Sequence, residues 1–339
     1  MKTPTILGEF QIIERFFAPL AATAPGALGL RDDAAIVSVA PGCSVVVSTD
    51  TLIEGVHFLL QDSAADIAAR GLAVAFSDIA AMGAEPLAYM LSLSLPQVWA
   101  SEQRERWLES FSGELRGEQQ AIGVALIGGD TVATPGPLSL TLTVFGAVAT
   151  GCELRRSGAR PGDVVYVSGS VGDAALGLLV LKGDLQELDD LQRQMLALRF
   201  RRPRPRLDLG LRLRGVAHAA ADVSDGLVAD LDHICEASDV CATIEMGRIP
   251  ISQAALAAVR AEPARRARIF SGGDDYELVF TAPLAAADDI ARIGAELGLA
   301  LTAIGRIAAR NSQASEPRLR VLGEDGNEVS LSDGGYSHF

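Results

Sequence analysis

The sequence predicts an α/β (α+β) chain of two domains. Three observations predict it. The chain has 339 residues, about the length of two compact domains. Apolar runs of strand length alternate with segments of helical spacing in both halves. One turn-rich stretch, "TGCELRRSGARPGD" (150–163), separates the halves. The domains are therefore set at 1–150 and 151–339.

The elements follow in order. Apolar residues recur at helical spacing over 9–20, and 43–48 reads as a buried strand. A helix is expected over 62–82, stopped by Gly83 and Pro86. Residues 87–95 alternate and end at Pro96, and 101–118 is helical. Residues 138–145 alternate with Leu138, Leu140, Leu142 and Val144 on one face. The second half begins with a strand at 164–168, followed by helices to about Gly215. It continues with a strand at 219–223, a helix at 227–237 and a strand at 241–246. A strand at 277–281, a helix at 285–297 and a strand at 301–307 close the pattern.

Composition excludes several classes of function. The formal net charge is −14 and aromatics make up 5%, which argues against nucleic acid or an acidic membrane surface as partner. No apolar run approaches the length of a membrane span, and the first residues, "MKTPTILGEFQIIERFF", contain no signal-peptide core. The chain reads as soluble and cytoplasmic. Cys43, Cys152, Cys235 and Cys241 form no C-x-x-C and have no His at zinc spacing, so they read as incidental thiols. The basic run "RFRRPRPR" (199–206) reads as a helix end or an inter-element contact.

Asp stands at the edge of an apolar or glycine-rich segment again and again. The positions are Asp33, Asp50, Asp78, Asp130, Asp222 with Asp225, and the pair Asp274-Asp275. Ser48, Thr49, Ser77, Thr131 and Ser224 accompany them. Carboxylates with hydroxyl oxygens are hard ligands, suited to Mg²⁺ rather than zinc. Singly, each reads as a helix cap as readily as a ligand, Asp78 and Asp225 most of all. Together they are harder to explain as caps. Lysine sharpens the point: Lys2 and Lys182 are the only two, against 27 Arg, and no P-loop or protein-kinase motif occurs. A nucleotide triphosphate bound here would have its charge neutralised by metal ions and Arg.

The motifs "GLRDDAAIV", "VSTDTLIEGVHF", "LAVAFSDIAAMGAEPL", "LIGGDT", "RRSGARPGD", "DVSDGLVADL" and "SGGDDYELVF" resemble, in order and spacing, those of the thiamine-monophosphate kinase family. That family belongs to the aminoimidazole ribonucleotide synthetase-like superfamily. The resemblance implies the superfamily's two-domain fold: an N-terminal sheet domain that dimerises, and a C-terminal α/β domain closing over it. It implies a kinase of thiamine biosynthesis, a phosphotransferase with a phosphate group as acceptor, converting thiamine monophosphate and ATP to thiamine diphosphate and ADP. It implies a homodimer, several Mg²⁺ ions, and ATP as co-substrate.

By motif, Asp33, Ser48, Thr49, Asp50, Asp78, Asp130, Asp222 and Asp225 match metal positions. Gly129, Asp130, Arg156 and Ser224 match ATP contacts, and His57 and Asp274 match substrate contacts. An aromatic near Asp333 closes on the thiamine ring in many relatives; here Tyr336 is the nearest. No residue is assigned as general base, because a phosphate monoester with a second pKa of about 6 is already a dianion at neutral pH. Asp50 and Asp130 are expected to matter most, by holding metal. Asp274 stands where relatives carry Glu, and Arg31 where they carry Gly; Arg31 could pair with Asp32 or Asp33 and compete with Mg²⁺. The alternatives are a non-catalytic Mg²⁺/nucleotide-binding protein and another ATP-dependent synthetase of the superfamily.

Overall fold

Alternating apolar strands give two sheets, each in its own compact unit. The computed structural model describes residues 7–310 and 317–329. One unit comprises residues up to Ile79 with Glu85–Thr150; the other comprises Ala80–Ala84 and the chain from Gly151 onward.

In the first unit, α1 (Glu9–Ile12) runs into a π turn, Ile13–Phe17, and a 3₁₀ turn, Ala18–Leu20. The single helix expected over 9–20 is thus three helical pieces; Pro19, without an N–H, sits in the 3₁₀ turn. Next come β1 (Cys43–Ile53), α2 (Ala64–Ala81), β2 (Glu85–Pro96) and α3 (Ser101–Ile122). β3 (Leu126–Thr134) and β4 (Ser139–Ala149) complete the unit. The four strands lie in the order β1-β4-β2-β3.

Period-two alternation gives this sheet one buried face, with Leu52, Leu91, Leu93, Leu140 and Leu142 inward. Helix α2 crosses it at Gly71, where a Cβ would stand 3.0 Å from Leu140 and 3.1 Å from Leu142. The other face of β1 is exposed, Val45 and Val47 among it.

In the second unit, β5 (Val164–Ser168) leads to α4 (Asp173–Leu181), α5 (Asp190–Arg201) and α6 (Leu207–Leu213). β6 (Ala219–Asp222), α7 (Leu227–Ser238), β7 (Val240–Glu245), α8 (Gln253–Ala261) and α9 (Arg265–Ser271) follow. The unit ends with β8 (Leu278–Ala282), α10 (Ala287–Leu297), β9 (Leu301–Ala309) and β10 (Leu319–Leu322). Its sheet has the order β10-β7-β9-β5-β8-β6. Val165, Val167 and Val279 face one core with Leu176, Leu231 and Ile234. Val164, Tyr166 and Phe280 face another with Leu209, Leu213 and Ile290. Helices therefore cover both faces of this sheet.

The expected elements are present, some with longer ends (β1, β2, α3, β4, α7, β9) and some with shorter ones (α2, β6, α10). β3, β10, α8 and α9 were not expected from the sequence. Residues 43–48 extend as a strand to Ile53, so Asp50 lies within β1 and not at its end. Asp78 is no N-cap: it lies in the last turn of α2, where the helix dipole disfavours a carboxylate. Among the described residues no helix is long and apolar enough to cross a membrane.

Candidate active site

The first unit brings Ser48, Asp50 and Asp78 together. Ser48 and Asp50 are two apart on β1 and so share its inner face. The Ser48 hydroxyl donates to Asp78 Oδ2. Burial, and after it the Asp78 carboxylate, pushes Asp50 up to about 6. Asp50 Oδ2 is buried with no hydrogen-bond partner among the described residues. A buried carboxylate oxygen without a donor, facing a second acid, fits a hard divalent cation. Thr49 does not join them. Its side chain lies on the outer face, where its hydroxyl is 3.1 Å from that of Thr143. The period of the strand divides the expected Ser-Thr-Asp trio.

Asp130 is also apart from Asp50. β1 and β3 are the two edges of the sheet, so the two acids are three strand spacings apart, about 14 Å. Asp50 pairs with Leu142, Leu142 with Leu91, and Leu91 with Gly129. Asp130 belongs to the neighbouring row, Thr51–Thr141–Ser92–Asp130, whose side chains point to the opposite face. Gly129 has φ +152°, and a Cβ there would collide with the Leu91 carbonyl. Beside it opens a cavity of about 150 Å³. Phe17 and Leu30 form its apolar side, and Asp32, Asp33 and Asp130 supply carboxylates.

His57 closes the tight turn after β1. Its Nδ1 accepts the Ile53 N–H at 3.1 Å, and its carbonyl accepts from Arg70 Nε at 3.0 Å. With Nδ1 accepting, the neutral ring carries its proton on Nε2 and can donate it in a hydrogen bond. Arg31 corrects an expectation. Its side chain is 82% exposed, and its nearest acid is Glu14 at 3.9 Å, not Asp32 or Asp33. Its φ of −117° gives no reason for Gly; the left-handed residues here are Leu28, Gly29 and Leu30.

The second unit gathers Arg156, Ser224 and Asp225 around a residue the sequence reading missed, Asp230. Asp225, Asp230 and His233 present ligand atoms within 4.8 Å of one another. Burial, then the Asp225 carboxylate, pushes Asp230 up to about 7; backbone N–H groups and Arg156 oppose this. Asp225 precedes α7 but does not cap it: the N-cap is Gly226, and no side chain fills that role. Asp222 is buried at the end of β6, opposite Leu278 of β8. An acid five residues after the Ser224–Asp225 pair, following a glycine that cannot cap, was the available signal for Asp230.

The "GGDDYEL" segment is strapped to the Ser224 loop through its backbone. Asp274 N–H donates to the Ser224 carbonyl and Tyr276 N–H to that of Val223, both at 2.8 Å. Asp274 and Tyr276 have φ of +74° and +51°, strain held in place by these bonds. Tyr276 Oη donates to Asp274 Oδ1 at 3.1 Å. Asp275, between them, accepts from Gly172 and Ala174 N–H at the start of α4. Its burial pushes it up to about 8. Glu277 is fully buried and accepts from Ser168 Oγ at 2.6 Å, Arg199 Nη2 at 2.9 Å and Arg206 Nε at 2.6 Å. The basic run is thus an inter-element contact. Asp333 and Tyr336 lie outside the described residues.

Two sheet units with acidic strands, and a Ser-Asp-Gly loop opening a helix, define the AIR synthase related class. The description "AIR synthase related protein, N-terminal domain" matches residues 31–148, and "AIR synthase related protein, C-terminal domain" matches 160–316. Within that class the chain belongs to the thiamine-monophosphate kinase family. It is 42% identical over 333 residues to thiamine-monophosphate kinase of Escherichia coli K12, covering 98% of each chain. The crystal structure of thiamine-monophosphate kinase from Stenotrophomonas maltophilia superposes with a TM-score of 0.82 at 41% identity, covering 95% of this chain and 98% of that one. AaThiL complexed with AMPPCP and TMP gives 0.74 at 28% identity, covering 98% and 97%.

Proposed function

We infer that this protein phosphorylates thiamine monophosphate at the expense of ATP, giving thiamine diphosphate and ADP by direct transfer in the cytoplasm. A phosphate oxygen of the acceptor attacks the γ-phosphorus, and the bond from that phosphorus to the β,γ-bridging oxygen breaks as ADP leaves. The acceptor is largely a dianion at neutral pH and needs no base to take a proton. What opposes reaction is repulsion between two polyanions. The observation that carries the reading is the unpartnered, buried Asp50 Oδ2 facing Asp78, a cation position in a chain with only two lysines.

In this reading Asp33, Ser48, Asp50, Asp78 and Asp130, with Asp222 and Asp225, are the residues that would hold Mg²⁺. Several Mg²⁺ ions, when bound, would neutralise the phosphates. Arg156 and the Ser224 hydroxyl serve ATP, and Gly129 gives the nucleotide close approach to backbone. His57 Nε2–H donates toward the acceptor phosphate, and Asp274 meets the thiamine cation.

The same reading makes the protein a homodimer. One chain divides Asp50 and Asp130 between opposite edges of its sheet, and both edges are unpaired within the described chain. A second copy packed on the exposed face of β1 brings the partner subunit's Asp130, which shares that face, to the edge strand that carries Asp50. It also covers the exposed Val45 and Val47.

Purified protein with thiamine monophosphate, ATP and Mg²⁺ is expected to form thiamine diphosphate and ADP in equal amounts. Asp78→Asn and excess chelator should each abolish it. Undiminished turnover in chelator contradicts the metal role, and ADP without thiamine diphosphate contradicts the acceptor.

A further inference from the structure

We propose that Asp230 is a positioning residue. Its carboxylate fills the amide nest formed by Ser224, Asp225 and Gly226, and so fixes the Ser224 hydroxyl and the Asp225 carboxylate for nucleotide and metal. This rests on the nucleotide and metal roles inferred for Ser224 and Asp225.

Asp230 is the fourth residue of α7 and is fully buried. Its Oδ2 accepts three consecutive backbone N–H groups: Ser224 and Asp225 at 3.0 Å and Gly226 at 3.2 Å. Successive N–H groups aimed at one point at a helix start are a ready anion site, of the kind that cradles phosphate elsewhere. Here an internal carboxylate occupies that site. These three amides are therefore closed to phosphate, and Ser224 and Asp225 meet ligands through their side chains rather than their N–H groups.

The local sequence requires this arrangement. Gly226 has φ +121°, and a Cβ there would stand 2.8 Å from the Ser271 carbonyl oxygen, so the N-cap position cannot carry a capping side chain. Asp230 supplies the acceptor from inside the helix instead. The other side of the loop is held by the Asp274 N–H bond to the Ser224 carbonyl. The loop backbone is clamped on both sides, which fixes where the Ser224 and Asp225 side chains leave it.

Two variants and one exchange measurement test this. Asp230→Ala removes the acceptor; Asp230→Asn keeps one oxygen for the three amides. Asp230→Ala is expected to raise the Mg·ATP concentration for half-maximal rate about tenfold, with KM for thiamine monophosphate within about twofold. Asp230→Asn should recover most of that loss. An Asp230→Ala enzyme within about twofold of wild type for Mg·ATP, or one equally weakened for both substrates, overturns the proposal. Amide hydrogen exchange on the unmodified protein needs neither a variant nor turnover. Ser224, Asp225 and Gly226 should be protected without ligand and change little when AMPPCP and Mg²⁺ are added. Protection that arises only with the nucleotide would mean that phosphate, not Asp230, takes these amides. Absence of thiamine diphosphate formation by wild type would count against the kinase reading and leave the exchange result to decide on Asp230.

Discussion

Asp50 faces Asp78 across the inner surface of β1, and the Asp50 Oδ2 has no partner among the described residues. Burial and the second acid raise Asp50 from 3.8 to about 6. A carboxyl raised in this way contributes stability below its unfolded value and loses it as pH rises through the folded one. Without divalent metal, the Tm of wild type should therefore fall relative to Asp50→Asn between about pH 4 and about pH 6. Added Mg²⁺ should raise the wild-type Tm more at about pH 7.5 than at about pH 5. Thermal melts with and without Mg²⁺ check both, and an equal Mg²⁺ effect at the two pH values contradicts them.

Arg31 extends into solvent beside Glu14. Arg31→Gly should leave the Mg²⁺ titration and the KM for ATP within about twofold of wild type, since so exposed a pair contributes little. A clear leftward shift of the Mg²⁺ curve would show that Arg31 competes for the Asp32–Asp33 carboxylates.

The Tyr276 hydroxyl holds the Asp274 carboxylate. Tyr276→Phe removes a hydrogen bond to a charged group, about 1.5–3 kcal/mol where the group remains ordered. The KM for thiamine monophosphate is expected to rise while that for ATP stays constant. Steady-state kinetics varying each substrate in turn check this; a change in the ATP constant alone contradicts the assignment of Asp274.

Glu277 is fully buried beneath Arg199 and Arg206. Removing one partner of a buried ion pair costs about 3–5 kcal/mol, because the remaining charge is left uncompensated. Glu277→Gln should show that loss in urea unfolding of the whole chain. A change below about 1 kcal/mol would mean the two Arg find solvent readily.

What was legible in the sequence follows physical lines. Residues 164–168 were readable as a strand because an unbroken apolar run, Val164 to Val167, lies buried there. β3 was not, because an edge strand with Gly128, Gly129 and Asp130 lacks the apolar run that marks a buried one. The acids were readable as a set because lysine is so scarce. Their division was not: the period of β1 turns Thr49 away, and strand order, which sequence does not display, sets Asp130 at the far edge. Glu277 and its Arg partners are more than seventy residues apart in the chain, joined only by tertiary packing. Asp230 reads in "VADLDHI" as one of several acids on a helix, and only the three converging amides distinguish it.

In the proposed homodimer, the acids divided between the two sheet edges serve one site that a second copy completes. Asp50→Asn and Asp130→Asn proteins, each inactive alone, should be unfolded together, refolded as a mixture and assayed for thiamine diphosphate. Half of the dimers are then hybrids with one intact site of two, so about a quarter of wild-type activity is expected to return. A mixture no more active than its two parents would contradict the shared site.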